Sequence, residues 1–147
     1  MFQYVKTIGS HVAAPEIEYM PISNSFAIGM GCLCEMSSGV LASNYTESKD
    51  KSKFITLEKK TAGDGKTKIK CIRVLPGMLI SVDYQGEIDN IDIGSFVCPA
   101  SDVGGHYVCC NEDYNGKFEV VDKSEFSTTG KITIIIHLYG EANDNLY

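Results

Sequence analysis

The chain has 147 residues, 44% of them hydrophobic, and a formal net charge of −6. That length fits one domain with a core large enough to fold without metals or staples, and the apolar content excludes a disordered chain. The lysine clusters at 49–53, 59–60 and 66–70 are interleaved with Glu47, Asp50, Glu58 and Asp64, so the sustained positive footprint of a nucleic-acid binder is missing.

The first stretch, "MFQYVKTIGSHVAAPEIEY", has no basic start followed by a long apolar run and does not read as a secretory signal. The longest apolar runs, such as "IIIHLY", are strand-sized and far short of the roughly 18 residues a membrane span needs. The expectation is a protein made in a cytoplasm, with its six cysteines kept as thiols. Residues 1–25 carry Pro15 and Pro21 and read as an extended arm, residues 26–140 as a β domain and residues 141–147 as a polar tail.

Period-2 runs punctuated by turn residues dominate the chain beyond the arm. "FAIGMGCLCEM" alternates. Phe26, Ile28, Met30, Cys32, Cys34 and Met36 fall on one face, and Ala27, Gly29, Gly31, Leu33 and Glu35 on the other. Ser37–Gly39 turns the chain and "VLA" starts back. "NYTESKDKSK" reads as a polar loop and "FITLEK" as a short strand. Gly63, Asp64 and Gly65 mark a turn into "IKCIRVL". There Ile72 and Val74 share one face, and Ile69, Cys71 and Leu75 the other. After Pro76-Gly77, "MLISVDY" puts Met78, Ile80, Val82 and Tyr84 in phase. "IDIGSFVCP" is another strand, whose Gly94 suggests a bulge or a close backbone approach. "HYVCCNEDYNGKFEVVD" reads as a hairpin turning at Asn115-Gly116, and "KITIIIHLY" as the last strand. The sum is an all-β fold: a single compact β-barrel or β-sandwich of about eight to ten short antiparallel strands.

Cysteine is the one residue type with the look of a reagent. In a strand, Cys32 and Cys34 sit about 6.5–7 Å apart, whereas a disulfide brings Cβ atoms to about 3.8 Å. They reach a shared metal only with help from Cys109, Cys110 or His106. Neither C-x-C on a strand nor C-C has the geometry of a zinc knuckle. The simpler reading is that small thiols fill a sheet core, with no cofactor. Asn111, Asp113, Asn115, Gly116 and Asp122 fall on the first, third, fifth, sixth and twelfth places of the calcium-binding EF-hand loop pattern, the sixth being its turn glycine. The flanking strands and the missing bidentate Glu argue for a hairpin instead. His11, His106 and His137 suggest no local Cys–His pair, and no nucleophile elbow or phosphate-binding glycine motif occurs. His137 falls out of phase with Ile134 and Ile136 and reads as a solvated or interface residue. The expectation is that the protein is not an enzyme.

Three stretches stand out in order: Gly31–Leu41 (near the form "G..L....G.L", with Leu33 one residue early), Ile72–Val82 ("I-R-V-x-P" then "G-M-x-x-x-V") and Ile93–Val97 ("I-G-S-x-V"). With the order of elements, they carry a resemblance to the head-decoration, or capsid cement, proteins of tailed bacteriophages. It implies a structural virion protein on the outer capsid surface that holds major capsid protein subunits together, with no nucleic acid or membrane partner. Local threefold positions on such shells suit a homotrimer, and hexamer centres suit a monomer. The arm then becomes the clamp, adding as a strand to a capsid sheet edge, with Ile17, Tyr19 and Ile22 as capsid-binding anchors; the competing reading has the arm close the protein's own barrel. The alternatives are another head or tail structural β protein, a cysteine/histidine metal-bound β module, and a small-ligand barrel.

Overall fold

The computed structural model describes residues 1–8, 15–42, 52–100, 107–110 and 118–137. Within them lie eleven strands. They are β1 Phe2–Thr7, β2 Ile17–Pro21, β3 Leu33–Ser37, β4 Val40–Ala42, β5 Lys53–Thr56 and β6 Lys68–Arg73. Then come β7 Met78–Tyr84, β8 Phe96–Ala100, β9 Tyr107–Cys110, β10 Phe118–Asp122 and β11 Lys131–Ile136. The only helical pieces among the described residues are a 3₁₀ turn at Ile88–Asn90 and one short turn, α1, at Phe126–Thr129. No described helix is long and apolar enough to cross a membrane. The fold is all-β, as the alternation requires.

The first sheet has the order β1-β7-β11-β10-β8-β9, and β9 also pairs in parallel with β7 through Asp83–Tyr107 and Tyr84–Val108. That pairing closes β7, β11, β10, β8 and β9 into a five-stranded barrel. β1 shares the same edge of β7, further back at Met78–Val82. The second sheet has the order β2-β6-β5-β3-β4 and curls until its edge strands β2 and β4 approach each other.

Two cores result. The alternating side chains Met78, Ile80, Val82 and Tyr84 of β7 point into the larger one, with Phe118, Val120, Ile132 and Ile134. Leu33, Ile55 and Ile72 enter the same core from the second sheet, because they lie in direct register across β3, β5 and β6. The other face of that sheet buries Cys32, Cys34, Phe54, Ile69 and Cys71 with Ile22 and Ile28. Faces thus alternate along β6 as its sequence period demands: Ile69 and Cys71 on one side, Ile72 on the other. Leu75, past the strand end, joins Val74 on the larger core.

Several sequence expectations are corrected. In the extended arm read at residues 1–25, β1 and β2 are hydrogen-bonded members of the two sheets, as the reading in which the arm closes the protein's own barrel has it. "FAIGMGCLCEM" is not one strand. Met30 and Gly31 form a turn before β3, which leaves Met30 exposed while Cys32 and Cys34 stay buried. Gly94 makes a turn with φ +93 ahead of β8 and no bulge. β9 and β10 do not pair as a hairpin, because β8 lies between them and pairs with both; residues 111–117, with the Asn115-Gly116 pair and most of the EF-hand-like positions, fall outside the described residues, as do His11, His106 and 141–147. The β3–β4 hairpin does turn at Ser38-Gly39, both with positive φ.

Gly77 joins the two sheets. Its φ is +83, and a Cβ there would lie 2.6 Å from the Ile8 carbonyl oxygen. Its own N–H reaches the Ile136 oxygen at 2.8 Å, and its oxygen accepts from the Ile8 N–H at 2.9 Å. Gly77→Ala is therefore expected to destabilise the fold by about 1–3 kcal/mol, measurable as a lower urea midpoint.

Candidate functional site

A cavity of about 400 Å³ opens where the two sheets meet. Met1–Tyr4 of the β1 segment form one wall. Met30, Gly31, Leu57 and Ile72 form the other, with Pro15 at the rim, two residues before β2. Its lining is mainly apolar, and its volume suits a few side chains of a partner.

Local sequence explains the shape. The β1 segment must pass close over the Met30–Gly31 turn, and the Phe2 N–H donates to the Gly31 oxygen at 2.8 Å. A Cβ at Gly31 would lie 1.9 Å from Met1 Cγ and 3.0 Å from the Phe2 oxygen. Glycine is what allows that approach, and it adopts φ +74 there. On β1, Val5 is the extra residue of a bulge between Tyr4 and Lys6. Bulges and lysines at a sheet edge discourage indiscriminate pairing.

Ile17 continues this wall outward. In register it is the fourth member of the row Leu33, Ile55, Ile72, Ile17. The first three are buried, whereas Ile17 is 55% exposed. Tyr19, two residues along on the same face, is 60% exposed, and Met30 is 53% exposed. Of these three large, more than half-exposed apolar side chains, Met30 lines the cavity and Ile17 is the register partner of the lining residue Ile72. Ile22 is different. It is 2% exposed and packs in the second core, with its N–H bonded to the Thr67 oxygen at 3.0 Å. Its assignment as an anchor is corrected, since the side chain serves the protein's own interior.

The edge strand that presents Ile17 and Tyr19 is braced from behind. Glu18 accepts from Arg73 Nε at 3.1 Å and Nη2 at 2.9 Å, a two-pronged pair across β2 and β6. Those hydrogen bonds hold the Glu18 carboxyl below its ordinary pKa. The Arg73 guanidinium also lies 4.9 Å over the Phe54 ring.

The five cysteines whose side chains are described divide between the two cores. Cys32, Cys34 and Cys71 are fully buried in the second. Cys98 and Cys109 pack on the first. No group of three or more His, Cys, Asp or Glu that could hold a metal occurs among the described residues. Burial raises the Cys34 thiol far above its ordinary value and pushes Cys71 up to about 11, with the Glu18 charge adding to the latter. Cys32 is raised by burial too. The unfolded thiols ionise near 9.0. Above that pH the folded chain holds protons that the unfolded chain has lost, so stability must fall as pH rises from about 9 through about 11. Thermal melts across this range are expected to show the decline, and Cys71→Val is expected to lessen it.

His137 reaches Glu119 Oε2 at 3.3 Å and stacks obliquely on Phe96, with ring centres 6.0 Å apart. The cavity between the sheets has a shape suited to binding. Comparison of the chain with protein-family models, curated proteins and solved structures gave no match.

Proposed function

We propose that the protein is a structural virion component that binds the outer surface of a tailed-phage capsid and secures contacts between major capsid protein subunits. The observation that carries the reading is the exposure of three large apolar side chains, Ile17 and Tyr19 on β2 and Met30 in the lining of an open cavity. The resemblance in Gly31–Leu41, Ile72–Val82 and Ile93–Val97 supports it. Each of those stretches contains a strand joined to a turn: β3 to β4, β6 to β7, and the turn into β8.

The β1–β2 region is not a loose donor strand, since β2 is bonded to β6 and β1 to β7, each as the edge of its sheet. In this reading the contact is made by side chains: the partner inserts apolar groups into the cavity while Ile17 and Tyr19 pack against it. A tyrosine at such a contact supplies large area at small entropic cost. Exposed walls at a sheet edge suit a polypeptide better than an enclosed small ligand.

Purified protein mixed with undecorated, expanded heads is expected to sediment with them at physiological salt. Protein left in the supernatant across that salt range would overturn the proposal.

A further inference from the structure

We infer that Cys98 and Cys109 form a redox modification site, which a small-molecule disulfide of the glutathione class oxidises to a cross-strand disulfide between β8 and β9. The two residues are direct partners in the antiparallel register. Such partners have Cα atoms about 4.5–5.5 Å apart, inside the range of about 4.4–6.8 Å that a disulfide spans. Their sulfurs already lie 3.7 Å apart as free thiols. Strand parity sets them on the face opposite Val97 and Val108, which fill the barrel. No other described cysteines are cross-strand register partners: Cys34 pairs with Phe54, and Cys71 with Glu18 and Thr56.

The two thiols have different access. Cys98 is buried and Cys109 half-buried, so Cys109 meets the oxidant first. Its thiolate attacks one sulfur of the glutathione disulfide, forming a mixed disulfide and releasing one glutathione thiolate. The Cys98 thiolate then attacks the Cys109 sulfur, the protein disulfide forms, and the second glutathione leaves. Two protein thiols are oxidised, one glutathione disulfide is reduced to two glutathiones, and the two thiol protons pass to the departing thiolates. Cys32, Cys34 and Cys71 stay out of this exchange, because they are fully buried and their thiols are held protonated.

The consequence is local and structural. β9 closes the barrel through only two residue pairs with β7. A covalent tie to β8 fixes that seam in place and limits the unfolded chain.

The full-length protein is incubated with oxidised glutathione, blocked with an alkylating agent, and cleaved before Asp102, which separates Cys98 from Cys109. Two of the six thiols are expected to disappear, the two peptides to be linked, and the melting temperature to rise by about 5–10 °C. Cys110→Ser is expected to leave the link intact, and Cys109→Ser or Cys98→Ser to abolish it. Six remaining thiols, a glutathione adduct that stalls on Cys109, or a link that survives Cys109→Ser would each overturn the inference.

Discussion

Lys53→Met is expected to lower the stability of the fold by about 3–5 kcal/mol, a fall of about 10 °C or more in melting temperature. Lys53 and Glu35 are direct cross-strand partners on β5 and β3, on the same face as Leu33 and Ile55. Their side chains are only 4% and 3% exposed, and the Lys53 ammonium contacts a Glu35 carboxylate oxygen. Removing the lysine takes an ammonium partner from a buried carboxylate, and Glu35→Leu takes a carboxylate partner from a buried ammonium, with the same penalty. Making both changes together removes both charges, so the double variant is expected to recover most of the loss. Urea titration of the two single variants and the double variant checks this. A double variant as unstable as the singles would mean that the pair is not the unit.

The second large effect concerns binding. Ile17→Ala with Tyr19→Ala is expected to weaken attachment to undecorated heads by at least about tenfold, with the melting temperature almost unchanged. Both side chains are more than half exposed, and substitutions of that kind cost the fold little. The structure also shows why deleting residues 1–25 is a poor substitute. The deletion would strip β1 and β2 from both sheets and take Phe2 and Ile22 out of the two cores. Lost binding would then report unfolding. The point variants separate the two effects, provided that circular dichroism and the melt match the parent. A head titration in which the double variant binds as well as the parent would remove Ile17 and Tyr19 from the contact.

Much of this architecture was legible because parity is local. Met78, Ile80, Val82 and Tyr84 announced β7, and Ile69 and Cys71 against Ile72 announced the two-faced β6. The Ser38-Gly39 hairpin and the Gly63–Gly65 turn were equally plain, since each carries residues suited to positive φ. What the sequence hid depends on distant partners. Two prolines made the first 25 residues look like an arm, yet Pro21 sits at the end of an edge strand, where a missing N–H is tolerated. The Asn115-Gly116 signal suggested that β9 and β10 pair, but β8 takes the place between them.

Charged residues misled in another way. Glu35 fell on the strand face opposite the cysteines and Lys53 in a polar loop, and both are buried. Lys60 is also buried. Its ammonium donates to the Asn24 and Thr61 oxygens and to Asp64 at 2.9–3.1 Å, pinning the turn after β5. Of the three proposed anchors, Ile17 and Tyr19 lie on the exposed face and Ile22 does not. Its place just past the end of β2 could not reveal which core it would enter. The cavity itself left no local signal, because its walls come from β1, the Met30–Gly31 turn and β6. Gly31 was the one clue, as a residue that lets two backbones approach.

The central claim is that this protein sits on a capsid with its β1–β2 edge toward the shell. Electron cryomicroscopy of expanded heads incubated with the full-length protein tests it most directly. The account predicts added density on the outer surface, with Ile17, Tyr19 and the cavity facing the major capsid protein. Bare heads, or bound protein with that face turned to solvent, would contradict it.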